Sequence, residues 1–185
     1  MSDFIHTVQM LDTSLCDDLI DYYHNSSEYK QKGVVSGGLK PESKTSTDVT
    51  IYPNSSNKSV VTYMQFINQA LGSYKEAYDA FMYPVAFAEG CNIQYYEPGE
   101  GFPKWHCERG MYQSNQRALA FMTYLNDVTD CGETEWLYQE RKLQPTKGMT
   151  AIWPTDFTHT HRGVISPTQT KIIITGWFNY VDVAG

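Results

Sequence analysis

Beyond Gly90 the chain breaks into short segments, at 91–97, 105–108, 117–125, 133–138, 149–153 and 172–178, rich in aromatic or β-branched residues and bounded by Pro, Gly, Asn or Asp. Segments of that length and texture predict strands. No amphipathic helix alternates with them, which argues against a doubly wound parallel sheet and for antiparallel strands that curl or close. Parity along the last segment adds a constraint. Lys171, Ile173, Thr175 and Trp177 share one face, while Ile172, Ile174, Gly176 and Phe178 share the other. Apolar groups stand on both faces, so this strand is expected to be covered on both sides.

The N-terminal half reads differently. Asp12-Thr13-Ser14 can cap a helix running through Leu15, Leu19, Ile20 and Tyr23. A second helix is predicted over 60–83, with Met64, Ile67, Leu71, Tyr74 and Tyr78 on its buried side and Gly72 as a weak point. Between them, 30–58 is rich in Gly, Ser, Thr, Lys and Asn and is broken at Gly33, Gly37, Gly38, Pro41 and Pro53. It reads as a surface excursion or as a lid over a site. The expected organisation is a single domain over 1–185, mainly β with N-terminal helices: helical support at about 12–83 and a β core at about 91–180.

A length of 185 residues suits one substantial core rather than two domains. Lys and Arg total 14 against 21 Asp and Glu, a net charge of −7. That balance offers no basic footprint for nucleic acid and no polybasic membrane surface, although a pocket can locally oppose the global sign. No apolar run approaches membrane-spanning length, and Met1-Ser2-Asp3-Phe4 does not begin a secretory signal. Cys16, Cys91, Cys107 and Cys131 lack the paired spacing of a zinc site and are expected as reduced thiols. Together these features predict a soluble, cytoplasmic protein.

Two stretches carry the chemistry. In Trp105-His106-Cys107-Glu108, an extended backbone puts His106 and Glu108 on one face and turns Cys107 away as a packed thiol. Thr158-His159-Thr160-His161-Arg162-Gly163 supplies further imidazoles, and on geometry alone either His159 or His161 could join the first pair. Two imidazoles and one carboxylate are the ligand set of a mononuclear non-haem Fe(II) oxygenase with open positions. Lys171 adds a separate signal. A cation in an apolar strand needs an anionic partner, and no sequence-local carboxylate supplies one, which leaves room for an anionic cosubstrate.

These elements, in this order, resemble the Fe(II)/2-oxoglutarate-dependent oxygenases of the prolyl 4-hydroxylase-like family. The matching string is Tyr96-Glu97-Pro98-Gly99, Trp105-His106-Cys107-Glu108, Tyr124-Leu125-Asn126-Asp127, Gly132-Glu133-Thr134, His161-Arg162-Gly163, and Lys171 through Trp177. The resemblance implies a double-stranded β-helix, a distorted cupin-like jelly roll with N-terminal helices. It implies His106, Glu108 and His161 as catalytic iron ligands, since the spacing to Lys171 matches the family only from His161. Lys171 matches the cation that grips the distal carboxylate of 2-oxoglutarate, Tyr124 a hydroxyl that shares it, and Tyr96, Thr175 and Trp177 residues that line the cosubstrate pocket. The implied activity is a dioxygenase that uses Fe(II), 2-oxoglutarate and O2, with ascorbate as a stimulant, to hydroxylate an unactivated C–H bond with release of succinate and CO2. Peptidyl-proline is the substrate the resemblance favours, with free amino acids or small metabolites as alternatives.

The chain also departs from the pattern. Glu108 stands where prolyl hydroxylases usually carry Asp, which keeps the charge and donor but adds a methylene. Cys131 replaces the first of two glycines in many relatives. Arg162 is expected either to pair with an acid or to reach a substrate carboxylate, and Arg117 to be a structural ion-pair partner. His6 and His24 are expected as ordinary surface residues. A cupin-like metal protein without 2-oxoglutarate chemistry, or a noncatalytic jelly-roll module, would share the fold; retention of both Glu108 and Lys171 speaks against the second.

Overall fold

The computed structural model describes residues 2–182 other than 36, 37, 39, 41 and 42. In chain order the elements are β1 (His6–Gln9), α1 (Ser14–Asn25), β2 (Gln31–Lys32), β3 (Thr47–Ile51), α2 (Lys58–Ala77) and β4 (Val85–Ala86). Then follow β5 (Cys91–Tyr96), β6 (Phe102–His106), β7 (Arg117–Tyr124), β8 (Thr134–Trp136), β9 (Arg141–Leu143), β10 (Met149–Pro154), β11 (His161–Gly163) and β12 (Lys171–Tyr180). Among the described residues the strands form two antiparallel sheets. The larger runs β1-β10-β7-β12-β5-β3-β2, with β4 beside β12, and the smaller runs β6-β11-β8-β9. The strand pattern called for curled antiparallel sheets, and the arrangement is the distorted jelly roll that the family resemblance implied.

The parity read along β12 divides the interior into two cores. Ile172, Ile174 and Phe178 face the helices and pack with Val60, Ile67, Leu71 and Tyr74 of α2 and Leu15 and Leu19 of α1. Ile173, with Trp177 packed beside it, joins Tyr96, Met122, Tyr124, Trp136 and Trp153 between the sheets. Each fully buried aliphatic side chain contributes roughly 1.5–3 kcal/mol. The strand is therefore fixed from both sides, and its polar members Lys171 and Thr175 are held toward the inter-sheet space.

Both helices form where expected, with differences at their ends. In α1 the start is stabilised by Asp12, whose Oδ1 accepts from the Ser14 backbone N–H at 3.0 Å, while Thr13 makes no side-chain cap. The Asn57 side chain caps α2 by accepting from Ser59 and Val60 at 3.0 and 3.2 Å. That helix ends at Ala77 rather than at 83. The chain instead turns back through a Phe81 N–H bond to the Tyr78 carbonyl at 2.9 Å, which lets Phe81 meet Tyr74 edge-on at 5.9 Å. Burial of a second aromatic ring outweighs continuation of an exposed helix.

The segment 30–58 is not one excursion. Thr47–Ile51 is a strand of the main sheet, paired with β5, and Val49 and Ile51 are buried. Its polar residues misled the sequence reading because Thr and Asp face the interior of the roll here rather than solvent. The approach to it is tied down by Gly33 N–H to the Ser46 carbonyl at 2.9 Å and by Thr45 N–H to the Gly101 carbonyl at 3.0 Å. Val34, Val35, Lys40, Ser43 and Lys44 form part of a cavity wall, so this stretch borders the cavity rather than forming a free-standing surface loop. Gly37 and Pro41, two of the expected breakers, lie outside the described residues. The N-terminal part accordingly contributes β1, β2 and β3 to the sheet as well as helical support.

Candidate active site

A cavity of about 750 Å³ opens between the two sheets, lined by His106, Glu108, His161, Tyr96, Lys171, Thr175 and Trp177 among others. Strand pairing builds a corner of it that could hold a metal ion. β6 and β11 are antiparallel neighbours with His106 directly opposite His161, which brings the ring centroids to 4.4 Å. Glu108 does not share a strand with His106, as the sequence suggested, because β6 ends at His106. A bend follows, held by the Glu108 and Arg109 backbone N–H groups donating to the Thr155 carbonyl at 3.0 and 2.9 Å. The bend brings Glu108 Oε1 to 3.3 Å from His161 Nε2 and 3.6 Å from His106 Nε2. Cys107 is half-buried and reaches the cavity lining, so it is not fully packed away as expected.

The ring hydrogen bonds of both histidines point to metal binding. His106 Nδ1 donates to the Lys104 carbonyl at 2.8 Å, and His161 Nδ1 donates to the His159 carbonyl at 2.9 Å. With Nδ1–H committed to a carbonyl, each Nε2 presents a lone pair to the shared centre. Burial pushes the His161 ring pKa down, favouring the neutral form a metal requires. For Glu108, burial raises the pKa, but the two imidazoles outweigh it and hold the carboxyl well below its usual range. One donor atom from each residue lies within 4.8 Å of the others. Donors bound to one first-row ion at about 2.1 Å stand about 3 Å apart, so this set fits a divalent iron with little adjustment.

Glu108 is itself steered. Trp177 Nε1 donates to its Oε2 at 2.9 Å, which leaves Oε1 directed at the histidines. The Arg117 guanidinium lies 3.4 Å from the Trp177 ring centroid and 3.9 Å from Oε2, and pairs with Glu89 at 2.8 Å. Arg117 is thus the ion-pair residue anticipated, and it also clamps the indole that holds the carboxylate. Trp177 touches the carboxylate directly, a contact the sequence did not reveal.

Across the cavity, Lys171 is 4% exposed and has no carboxylate partner among the described residues. Its Nζ donates to the Gly132 and Val164 carbonyls, each at 3.1 Å, and burial pushes its pKa down to about 8 against a partly compensating field from Glu133. Gly163 lies beside it, where even a Cβ would make only ordinary contact with Nζ at 3.4 Å. A buried ammonium satisfied only by carbonyls and facing a cavity is poised for an anion.

Other expected residues are placed less directly. Tyr96 lines the cavity, and its hydroxyl donates to Gln94 Oε1 at 2.8 Å. Tyr124 does not reach the cavity. Its hydroxyl hydrogen-bonds Thr134 Oγ1 at 2.7 Å and the Leu143 carbonyl at 3.1 Å, and Thr134 stands in the lining instead. Tyr124, expected as a cosubstrate contact, thus stands behind Thr134 rather than among the residues that line the cavity. His159 is buried away from the metal corner, with Nε2 bonded to the Asp3 carbonyl at 2.9 Å. Arg162 pairs with Glu135 at 2.8 Å and stacks on Trp105, the acid-pairing alternative. His6 is not an ordinary surface residue, since it sits on β1 with its ring 2.8 Å from Ser73 Oγ of α2.

Residues 91–179 match the model of the 2OG-Fe(II) oxygenase superfamily. No curated protein sequence gives a significant match. Among solved structures, the viral collagen prolyl hydroxylase of Paramecium bursaria Chlorella virus-1, in its 2OG complex, is 19% identical with a TM-score of 0.72 over 97% of this chain and 98% of that one. The prolyl-4-hydroxylase of Pseudomonas putida is 15% identical, with a TM-score of 0.75 over 95% and 92%. A Trichoplax adhaerens prolyl hydroxylase, in complex with a hypoxia inducible factor oxygen degradation domain peptide fragment, is 15% identical with a TM-score of 0.79 over 97% and 84%. Residues 91–179, which carry the two histidines, the carboxylate and the lysine, are similar to the 2OG-Fe(II) oxygenase superfamily, and the chain shares the fold of the prolyl hydroxylases.

Proposed function

We propose that His106, Glu108 and His161 hold Fe(II), that Lys171 with Thr134 holds the distal carboxylate of 2-oxoglutarate, and that the C–H bond hydroxylated belongs to a prolyl residue of a peptide. The observation that carries this reading is the pairing of a carboxylate-free buried ammonium with a two-imidazole, one-carboxylate corner in the same cavity. Iron and 2-oxoglutarate, when bound with O2, supply the oxidising chemistry, releasing succinate and CO2. The chain's own residues do the rest. Trp177 fixes which Glu108 oxygen faces the ion, the two backbone carbonyls fix the histidine tautomers, and Lys171 anchors the far end of the cosubstrate. Met122, Ile173 and Trp153 shield the space between from bulk water.

The peptidyl-proline assignment draws on the prolyl hydroxylases that share the fold. We also infer a cytoplasmic setting: Cys16, Cys91, Cys107 and Cys131 are all free, and no described helix is long and apolar enough to cross a membrane. The test is succinate formation by the Fe(II) protein with proline-rich peptides and with free amino acids, products being weighed for one added oxygen. Succinate coupled to an oxygenated peptidyl-proline is the expected result. Coupling to a free amino acid alone would move the substrate assignment, and succinate-free oxidation would remove 2-oxoglutarate from the mechanism.

A further inference from the structure

The cavity is much larger than a small dicarboxylate needs, and part of its wall carries amides that neither the metal corner nor Lys171 uses. On β5, Asn92 and Gln94 alternate with buried Ile93 and so project together into the roll. Asn92 lies between Thr50 of β3 and Thr175 of β12, and Gln94 between Asp48 and Ile173. Their acceptor atoms are already engaged. Thr50 Oγ1 accepts from Gln31 Nε2 at 3.4 Å and so donates its own hydrogen to Asn92 Oδ1 at 2.7 Å, and Tyr96 donates to Gln94 Oε1 at 2.8 Å. That chain turns both NH2 groups toward the cavity, where neither has a protein partner among the described residues. Gln94 is 7% exposed as a residue, and what remains open of it is its face on the cavity.

We propose that Asn92 and Gln94 form a substrate subsite whose amide N–H groups hold two carbonyl oxygens of an extended peptide. The inference rests on the oxygenase reading of the neighbouring corner. Two features select this ligand chemistry. Residues two apart on a strand are about 6.8 Å apart, which is also the spacing of same-side carbonyls in an extended peptide. And a negatively charged substrate finds no free cation in the inner wall among the described residues: Lys44 is paired with buried Asp48 at 2.9 Å, Arg117 with Glu89 at 2.8 Å, and Lys171 serves the cosubstrate. Lys40 and Lys104 stand exposed, where solvent screens them. A free amino acid, with an ammonium and a carboxylate to satisfy, is a poor match for neutral donors; a capped backbone is a good one.

The test uses the full chain loaded with Mn(II) and 2-oxoglutarate, with a capped, uncharged proline-rich peptide and free L-proline as probes. The wild type should bind the peptide at least about tenfold more tightly than L-proline. N92D and Q94E each place a carboxylate oxygen where a donor stood, and should weaken the peptide about tenfold or more while 2-oxoglutarate affinity stays within about threefold. Q94A keeps the question open to measurement if either charged variant folds poorly, and should cost about two- to tenfold. Equal binding of peptide and L-proline, or variants that bind the peptide like wild type, would overturn the subsite while leaving the oxygenase corner intact. Failure of the wild type to bind 2-oxoglutarate would instead overturn the reading of that corner.

Discussion

Replacing Lys171 with Met keeps most of the apolar stem and removes the charge. In the wild type the ammonium is held at a cost, because burial lowers its pKa from 10.5 to about 8, which corresponds to about 3 kcal/mol against the charged form at neutral pH. Methionine removes that cost but strands the Gly132 and Val164 carbonyls, at about 1–3 kcal/mol for buried groups left unpaired. The two effects largely offset, so the ligand-free protein should change in stability by no more than about 1 kcal/mol. Cosubstrate binding has no such compensation. Loss of a charge-assisted hydrogen bond to a carboxylate costs about 1.5–3 kcal/mol, or roughly 10- to 150-fold in Kd. Calorimetric titration of the Mn(II) protein with 2-oxoglutarate measures this directly, and its pH dependence supplies an internal control. The wild-type lysine is protonated below about pH 8, so affinity should be flat there and fall as pH rises above it. Stability runs the other way: between about 8 and 10.5 the unfolded chain holds a proton the folded one lacks, so the ligand-free protein gains stability with pH. K171M should show neither trend. An unchanged Kd in K171M, or a wild-type Kd indifferent to pH across 8, would refute the assignment.

Three further outcomes follow from the geometry. W177F removes the N–H that holds Glu108 Oε2 and should weaken Mn(II) binding about 10- to 100-fold by chelator competition, with little loss of thermal stability. T134V deletes the hydroxyl that sits between Tyr124 and the cavity; it should raise the Kd for 2-oxoglutarate about two- to tenfold, whereas Y124F should raise it less. Cys131 adopts φ +59°, a left-handed conformation that disfavours a Cβ, so C131G should raise stability by about 0.5–1 kcal/mol in a denaturant titration.

The strands that build the roll were legible because their period-two patterns reflect burial on one or both faces, and the apolar residues on both faces of β12 mark the two cores in the sequence itself. The pairing of His106 with His161 was legible only as a requirement that they meet; the register that makes them neighbours is a long-range property. Thr47–Ile51 escaped because Thr, Asp and Thr are common in surface loops, whereas here Asp48 is buried and Thr50 lines the cavity. Short strands such as Arg141–Leu143 and His161–Gly163 carry too few residues for alternation to register. Tyr124 and Thr134 show the limit at the site itself. Both were present in the motif string, but which of them meets the cavity depends on the depth of one strand behind another. Asn92 and Gln94 did leave a signal, as alternate polar residues within an apolar strand, which gains meaning only once that face is known to line the cavity.

Cosubstrate binding and oxidation both depend on the corner formed by His106, Glu108 and His161. Anaerobic addition of 2-oxoglutarate to the Fe(II) protein should produce a visible metal-to-ligand charge-transfer band, because under the proposed function the cosubstrate would bind an ion held by His106, Glu108 and His161. H106A, E108A and H161A should lose the band while remaining folded by circular dichroism. H159Q should keep it, since that side chain bonds the Asp3 carbonyl rather than the corner. A band that survives in H161A, or disappears in a folded H159Q, would contradict the arrangement.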